Sequence, residues 1–198
     1  MSAQRSSRAA LLEATVSCLG RMPLEQLSAR TLAQESGANL ASIGYHYGSK
    51  DGLVTAAVVE SLDRWLDSIG ARLALVDPDT KPATRFHQAA AAVDRTRTEQ
   101  DAVARSFVAA LARGLHDDVV AGHLIEGFQH TRPRVAELLG LGADSEASDA
   151  GALVHAMFIG LLVQSLLSDE LAMDADRLLA GLRRISDVIG PSDIGDTA

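Results

Sequence analysis

The chain has 198 residues, 47% of them hydrophobic and 22% charged, enough apolar material for one large or two small cores, which excludes a disordered chain. Aromatic residues make up only 4%, Ala and Leu dominate and β-branched runs are scarce, so packed helices are expected and sheets are not. The formal charge of -8 is uneven, +2 over residues 1–50 and -10 over the rest, which permits contact with nucleic acid by the first quarter and disfavours it for the acidic remainder.

The opening MSAQRSSRAALLE lacks the apolar stretch of a signal peptide, and the single Cys18 cannot close an intramolecular disulfide, so a reducing cytoplasm is the expected address. Ala9, Leu12, Val16 and Leu19 recur at three and four, predicting a first helix that buries this face and ends near Gly20, with Cys18 beside it as a small core residue. Ser28 is placed to N-cap a short helix that turns Leu32 and Ala33 inward, and Gly37 to end it in a left-handed conformation. A second short helix follows from about Asn39 or Leu40 to Tyr47; Gly48-Ser49 breaks the pattern, and Ser49 can cap a long helix starting near Lys50. Two short helices joined by a Gly-containing turn meet the requirement for a helix-turn-helix. From Asp51 to Val76, Leu53, Ala57, Leu62, Leu66, Ile69 and Leu73 predict a long amphipathic helix, closed by a loop at 77–82.

Beyond it, helices are expected at about 83–98, 101–115, 117–139, 146–168 and 174–189. Pro133 is expected to break or kink the third of these near Thr131, and GLGADSEASDAG at 140–151 is the clearest surface loop. Gly151 to Leu167 carries no charged residue, yet it falls short of a full membrane span and contains His155 and Gln164, so a helix buried on all sides is expected and no membrane. The last helix carries the stripe Leu178, Leu182, Ile185 and Ile189. Its apolar neighbour needs cover on two faces, so Ala156, Ile159, Val163 and Leu166 are expected to join that stripe in a four-helix interface with a second copy of the chain.

Enzyme signatures are poor. His116, His123 and His130 are spaced by seven, on one helical face but about 10 Å apart per step, too far to share a metal and suited to lining a face or pocket. No paired-Cys motif, glycine-rich phosphate loop or nucleophile elbow is visible, so no catalytic residue, metal or cofactor is assigned.

Residues from about 8 to 58 resemble the DNA-binding domain of the TetR family of bacterial one-component regulators. The resemblance rests on the buried face of the first helix, on SARTLAQESGA and on IGYHYGSKDGL, which is similar to the family's aromatic-His-aromatic-x-Ser-Lys-acidic-x-Leu ending. It implies an all-α fold with a three-helix reader at 1–48, a helical ligand-binding and dimerisation domain at 49–190 and a loose tail at 191–198. It implies also that the second helix of the pair presents Asn39, Leu40, Ala41 and Ser42 to base edges in the major groove. Asn39 can bond an adenine edge or simply cap the helix, and Leu40 and Ala41 can touch a thymine methyl. By the same resemblance Tyr45 and His46 meet the DNA backbone while Tyr47 stays in the core, and Ser28, Arg30 and Thr31 begin the helix that crosses the phosphates. Lys50 and the N-terminus of its helix could meet one phosphate together. Gly44 departs from the pattern, since many family members carry a larger, often aromatic residue there; it either loosens this helix or lets the backbone approach the groove closely.

For the whole molecule the resemblance implies a homodimer on a near-palindromic double-stranded operator, acting as a repressor released by a small-molecule effector. The effector pocket in the helical body could be lined by Trp65, Phe86, Phe107, Phe128, Met157 and Phe158, with His87, His123, His155 or Gln164 as polar handles. An activator or ligand-independent regulator of the same fold is an alternative reading. A helical ligand-binding dimer with an impaired reader is another, supported only by Gly44 and the modest +2 charge.

Overall fold

The computed structural model describes residues 2–22, 26–77 and 80–190; the expected loose tail at 191–198 lies outside them, as do two residues of the expected loop at 77–82. Nine α-helices are present among the described residues, with no strand, and they divide into two compact units. The first comprises Met1–Ser68 and Glu99–Arg134, the second Ile69–Thr98 and Val135–Ala198. The boundary drawn in the sequence at 48/49 therefore falls inside the first unit.

In the first unit, α1 (Ser2–Leu19) buries Leu11, Thr15, Cys18 and Leu19. The expected face of Ala9, Leu12 and Val16 is corrected, because Ala9 is exposed and Leu12 and Val16 are half-buried. The rotation is made possible by Thr15, whose hydroxyl donates to the Leu11 carbonyl at 2.7 Å and so enters the core satisfied. Helix α2 (Ala29–Ser36) is capped by Ser28, whose Oγ accepts from the Thr31 N–H at 3.1 Å, and it stops at Gly37, where φ is +65°. Helix α3 (Ala41–Tyr47) turns Ile43 and Tyr47 inward.

Helix α4 (Lys50–Leu73) starts on a cap from Ser49, whose Oγ accepts from the Gly52 N–H at 2.9 Å. A side chain at position 52 is impossible without rearrangement, since a Cβ there would lie 2.2 Å from the Tyr47 carbonyl oxygen. Helices α6 (Asp101–Gly114) and α7 (Asp118–Leu139) complete the first unit, α7 only as far as Arg134. Pro133 does not break α7, which is helical throughout. The proline leaves the Gln129 carbonyl without its helical donor, but neighbours on either side are tied to α4. Thr131 Oγ1 donates to Asp63 Oδ1 at 3.0 Å, and Arg134 donates to Asp63 at 3.2 Å and to Asp67.

The second unit contains α5 (Pro82–Thr96), a 3-10 turn beginning at Arg97, α8 (Ser145–Ser165) and α9 (Ala175–Val188). Pro82 suits the first position of α5, where its missing N–H has no helical partner to lose. The Phe86 and Phe158 rings lie 5.9 Å apart, His87 Nε2 meets Asp176 Oδ1 at 2.9 Å, and Arg97 bridges Asp94 and Asp169. Two expectations need correction here. The loop at 140–151 is only as long as 140–144, because Asp144 Oδ1 accepts from the Ala147 N–H at 2.8 Å and starts α8 at once. Helix α8 is also not buried on all sides; Ala147 and Gly151 alone are fully buried, and Leu153 is 73% exposed. It is the one described helix long and apolar enough to cross a membrane by length and composition.

Candidate nucleic-acid interface

Helix α3 has two faces. Ile43 and Tyr47 fix it to the core, while Ala41, Gly44 and Tyr45, at helical spacing of three and four, look outward. The anchor is specific: the Tyr47 hydroxyl donates to the Arg8 carbonyl at 2.8 Å, and the Arg8 guanidinium lies 5.8 Å from the Tyr47 ring centre. Burial pushes the Tyr47 phenol above its ordinary pKa, so it stays a hydrogen-bond donor.

The outer face carries exposed polar and apolar groups. Tyr45 is 73% exposed with its ring 4.9 Å from that of His46, edge to face, and Leu40 is 47% exposed. Ser42 and His46 are half-exposed. Asn39 Oδ1 accepts from the Ala41 N–H at 3.0 Å, so the carbonyl end of this amide caps α3 and its NH2 end remains for an outside acceptor. Gly44 is exposed, and a Cβ there would have nothing within 4 Å, so the fold itself does not require glycine.

Around α3 stand the phosphate candidates. Ser28 and Arg30 are exposed and Thr31 half-exposed, although the Ser28 and Thr31 hydroxyls bond each other at 2.7 Å. Arg30 has no ion-pair partner among the described residues. Lys50 Nζ sits 2.8 Å from Asp51 Oδ1, whose other oxygen meets Arg113 at 2.7 Å; the lysine charge is therefore partly offset but keeps donors free for a phosphate. All eleven positions expected to meet DNA lie in the first unit, on or beside α2, α3 and the start of α4.

No family model matches the chain. A curated relative, the HTH-type transcriptional regulator BetI 2 of Chromohalobacter salexigens, is 24% identical over 174 residues, covering 82% of this chain and 79% of the relative. A TetR transcriptional regulator from Rhodococcus sp. RHA1 shares the fold with a TM-score of 0.64 at 16% identity, over 94% of this chain and 96% of its own. The TetR family repressor AlkX of Dietzia sp. strain DQ12-45-1b superposes with a TM-score of 0.60 at 14% identity, over 93% and 94%. The chain has the fold of the TetR-type regulators. The curated relative and both superposed structures are transcriptional regulators.

The ten residues expected to line one pocket fall into separate groups. Trp65, Phe107, His123 and Phe128 belong to the first unit, and Phe86, His87, His155, Met157, Phe158 and Gln164 to the second. Phe107 is buried, packed edge to face on Phe128 with ring centres 6.1 Å apart, and Phe86 is buried against Phe158. Gln164 is exposed and donates to the Gly160 carbonyl at 3.2 Å. Of the group in the second unit, Phe158 lines a cavity of about 30 Å³.

A larger cavity, of about 540 Å³, lies within the first unit, between α1, α4 and α7. Its wall includes Arg8, Leu12, Tyr47, Glu60, His123 and Glu126. His130 also lines it, whereas His116 sits in the link before α7 and is exposed. The seven-residue spacing that relates His123 and His130 is the signal for this wall; the carboxylates of Glu60, Asp63 and Glu126 give none, because charged helix positions read as solvated.

Proposed function

We propose that this TetR-type regulator is a repressor that binds a near-palindromic operator as a homodimer and is released by a small molecule. The observation that carries the DNA reading is the two-faced α3: Ile43 and Tyr47 lock its inner side, and Asn39, Ser42, Tyr45 and His46 stand outward as hydrogen-bonding groups. Ser42, Ala41, Leu40 and the Asn39 amide read bases; Tyr45, His46, Lys50, Ser28, Arg30 and Thr31 hold phosphates. The functional division follows residues 1–48 as reader and 49–190 as regulatory body, working in the cytoplasm where the operator is.

Support for a homodimer comes from apolar surface left open on α8 and beside the end of α9. Leu153 is 73% exposed, and Ile185 and Ile189 are 54% and 50% exposed. Ala156, Ile159, Val163, Leu166 and Leu182 are only half-covered or exposed, whereas Leu178 is buried within its own unit and so serves the protomer's core. To enter successive major grooves, the two α3 helices of such a dimer must stand about 34–36 Å, or a multiple of that, apart.

Selection of bound duplexes from a random DNA pool at near-physiological salt tests this reading, because phosphate contacts alone enrich no sequence. An inverted repeat with turn-matched half-sites is the expected product. A folded dimer that enriches nothing would overturn it.

A further inference from the structure

We propose that the cavity behind the reader is a ligand site for a small planar organic cation, of the aryl-amidine or aryl-guanidine class, and that its occupant acts on α3 through Arg8 and Tyr47. At about 540 Å³ the cavity falls within the range of about 300–1,000 Å³ of small-molecule sites. Ala9, Leu12, Ala56 and Val59 supply apolar wall for a flat ring.

The charge of the lining selects the sign of the ligand. Three carboxylates, Glu60, Asp63 and Glu126, face one guanidinium, Arg8. The arginines that bond two of these acids do not remove the excess, since Arg64 also binds Glu13 and Arg134 also binds Asp67. Glu126 is exposed and has no ion-pair partner among the described residues. An anion would meet this excess directly, and a neutral guest would leave it uncompensated.

The shape preference follows from Tyr47. Its ring already holds the guanidinium of Arg8 at 5.8 Å and lies 6.1 Å from the His123 ring, tilted by 44°, so the cavity wall offers aromatic faces to a flat cation. A carboxylate such as Glu126 accepts two parallel N–H bonds from an amidinium, which a point-like ammonium cannot supply in the same plane. His123, Glu126 and His130 lie on one face of α7, so the aromatic wall and the carboxylate address the same guest.

Coupling to α3 is short. The Tyr47 hydroxyl bond to the Arg8 carbonyl joins α3 to α1, and both residues touch the cavity. A guest that competes with Arg8 for the ring moves the anchor of the recognition helix itself. This coupling rests on the reading of the chain as a DNA binder; the site does not.

The test uses benzamidine as probe, with benzamide and benzoate as neutral and anionic isosteres, titrated calorimetrically into the full chain without DNA. Saturable binding of benzamidine alone is expected, weakened roughly tenfold or more in Glu126→Gln, where a charge-assisted bidentate bond is lost. Ala56→Leu, which fills the cavity, should also abolish binding, while Glu146→Gln on α8 should bind as the parent does. Equal binding of the isosteres, or unchanged affinity in both Glu126→Gln and Ala56→Leu, would overturn the site. Benzamidine should then release the selected operator duplex in a mobility-shift assay, and binding without release would overturn the coupling. A chain that takes up benzamidine but binds no duplex would support the site and sink the DNA reading instead.

Discussion

Gly44→Ala separates what the fold needs from what the DNA needs. Position 44 is in the middle of the seven-residue α3, it faces outward, and a Cβ there meets no atom within 4 Å. Alanine therefore fits without strain and should stabilise the helix by about 1 kcal/mol, its propensity advantage over glycine in a helix interior. For a chain of this size that raises the melting temperature by roughly 2–4 °C. If the backbone at Gly44 touches the groove, the added methyl holds α3 off by on the order of 1.5 Å, one carbon–carbon bond. Such a shift exceeds the tolerance of hydrogen bonds made at about 2.7–3.2 Å. Operator affinity should then fall by about tenfold or more, equivalent to about 1.4 kcal/mol. Circular-dichroism melting and fluorescence anisotropy on the selected operator, at one fixed salt concentration, read the two effects separately. A variant that melts higher and binds as tightly as the parent, or more tightly, would refute close approach at this glycine.

Three further outcomes are expected. Lys50→Ala should weaken binding to all duplexes alike and reduce the salt slope by about one, whereas Ser42→Ala should change sequence preference at one position of each half-site; identical behaviour of the two in binding titrations would void the assignment of roles. Ile185→Asp removes an apolar side chain that is 54% exposed in the protomer, and burying that exposed half in an interface is worth about 0.8–1.6 kcal/mol per copy, so sedimentation should show a helical monomer, and a persisting dimer would move the interface elsewhere. Asp117 accepts from the Val120 and Val119 N–H groups and from Arg113, and the Val120 bond foremost holds its carboxyl below the ordinary value of 3.8. A depressed folded pKa means that the folded chain binds fewer protons, so this stabilisation is complete above the ordinary value and is lost as pH falls through the folded one. Asp117→Asn keeps a cap but no charge, and urea unfolding at about pH 7 and about pH 3.5 should show a smaller loss between the two than in the parent.

The local chemistry of the reader was legible because each feature acts over a few residues. Ser28 and Ser49 cap where their side chains precede free N–H groups, Gly37 is left-handed where the turn demands it, and Tyr47 is core because its neighbours at 45 and 46 turn the other way. The buried face of α1 is not legible in the apolar pattern because Thr15 counts as polar, yet its hydroxyl bonds the Leu11 carbonyl and enters the core. Of the break or kink expected at Pro133, the break does not occur, and the side chains that tie this stretch to α4 lie sixty to seventy residues away, where no local pattern reports them. The segment at 140–151 reads as loop by composition, yet one aspartate at the right place converts most of it into the first turns of α8. Cavity walls were the least legible feature, because Arg8, Glu60 and Glu126 meet only after three helices have packed.

The union of α1–α3 with α6 and α7 in one compact unit bears on how this protein could be re-engineered. Val119 on α7 packs so tightly on the turn after α3 that a Cβ on either Gly48 or Gly52 would come within 2.9 Å of its Cγ1. The first 48 residues are thus not a cassette that can be cut out and pasted onto another body. A chimera built at that junction would leave the turn facing a foreign helix, while one that also carries residues 99–134 would transplant α3 with its own seat.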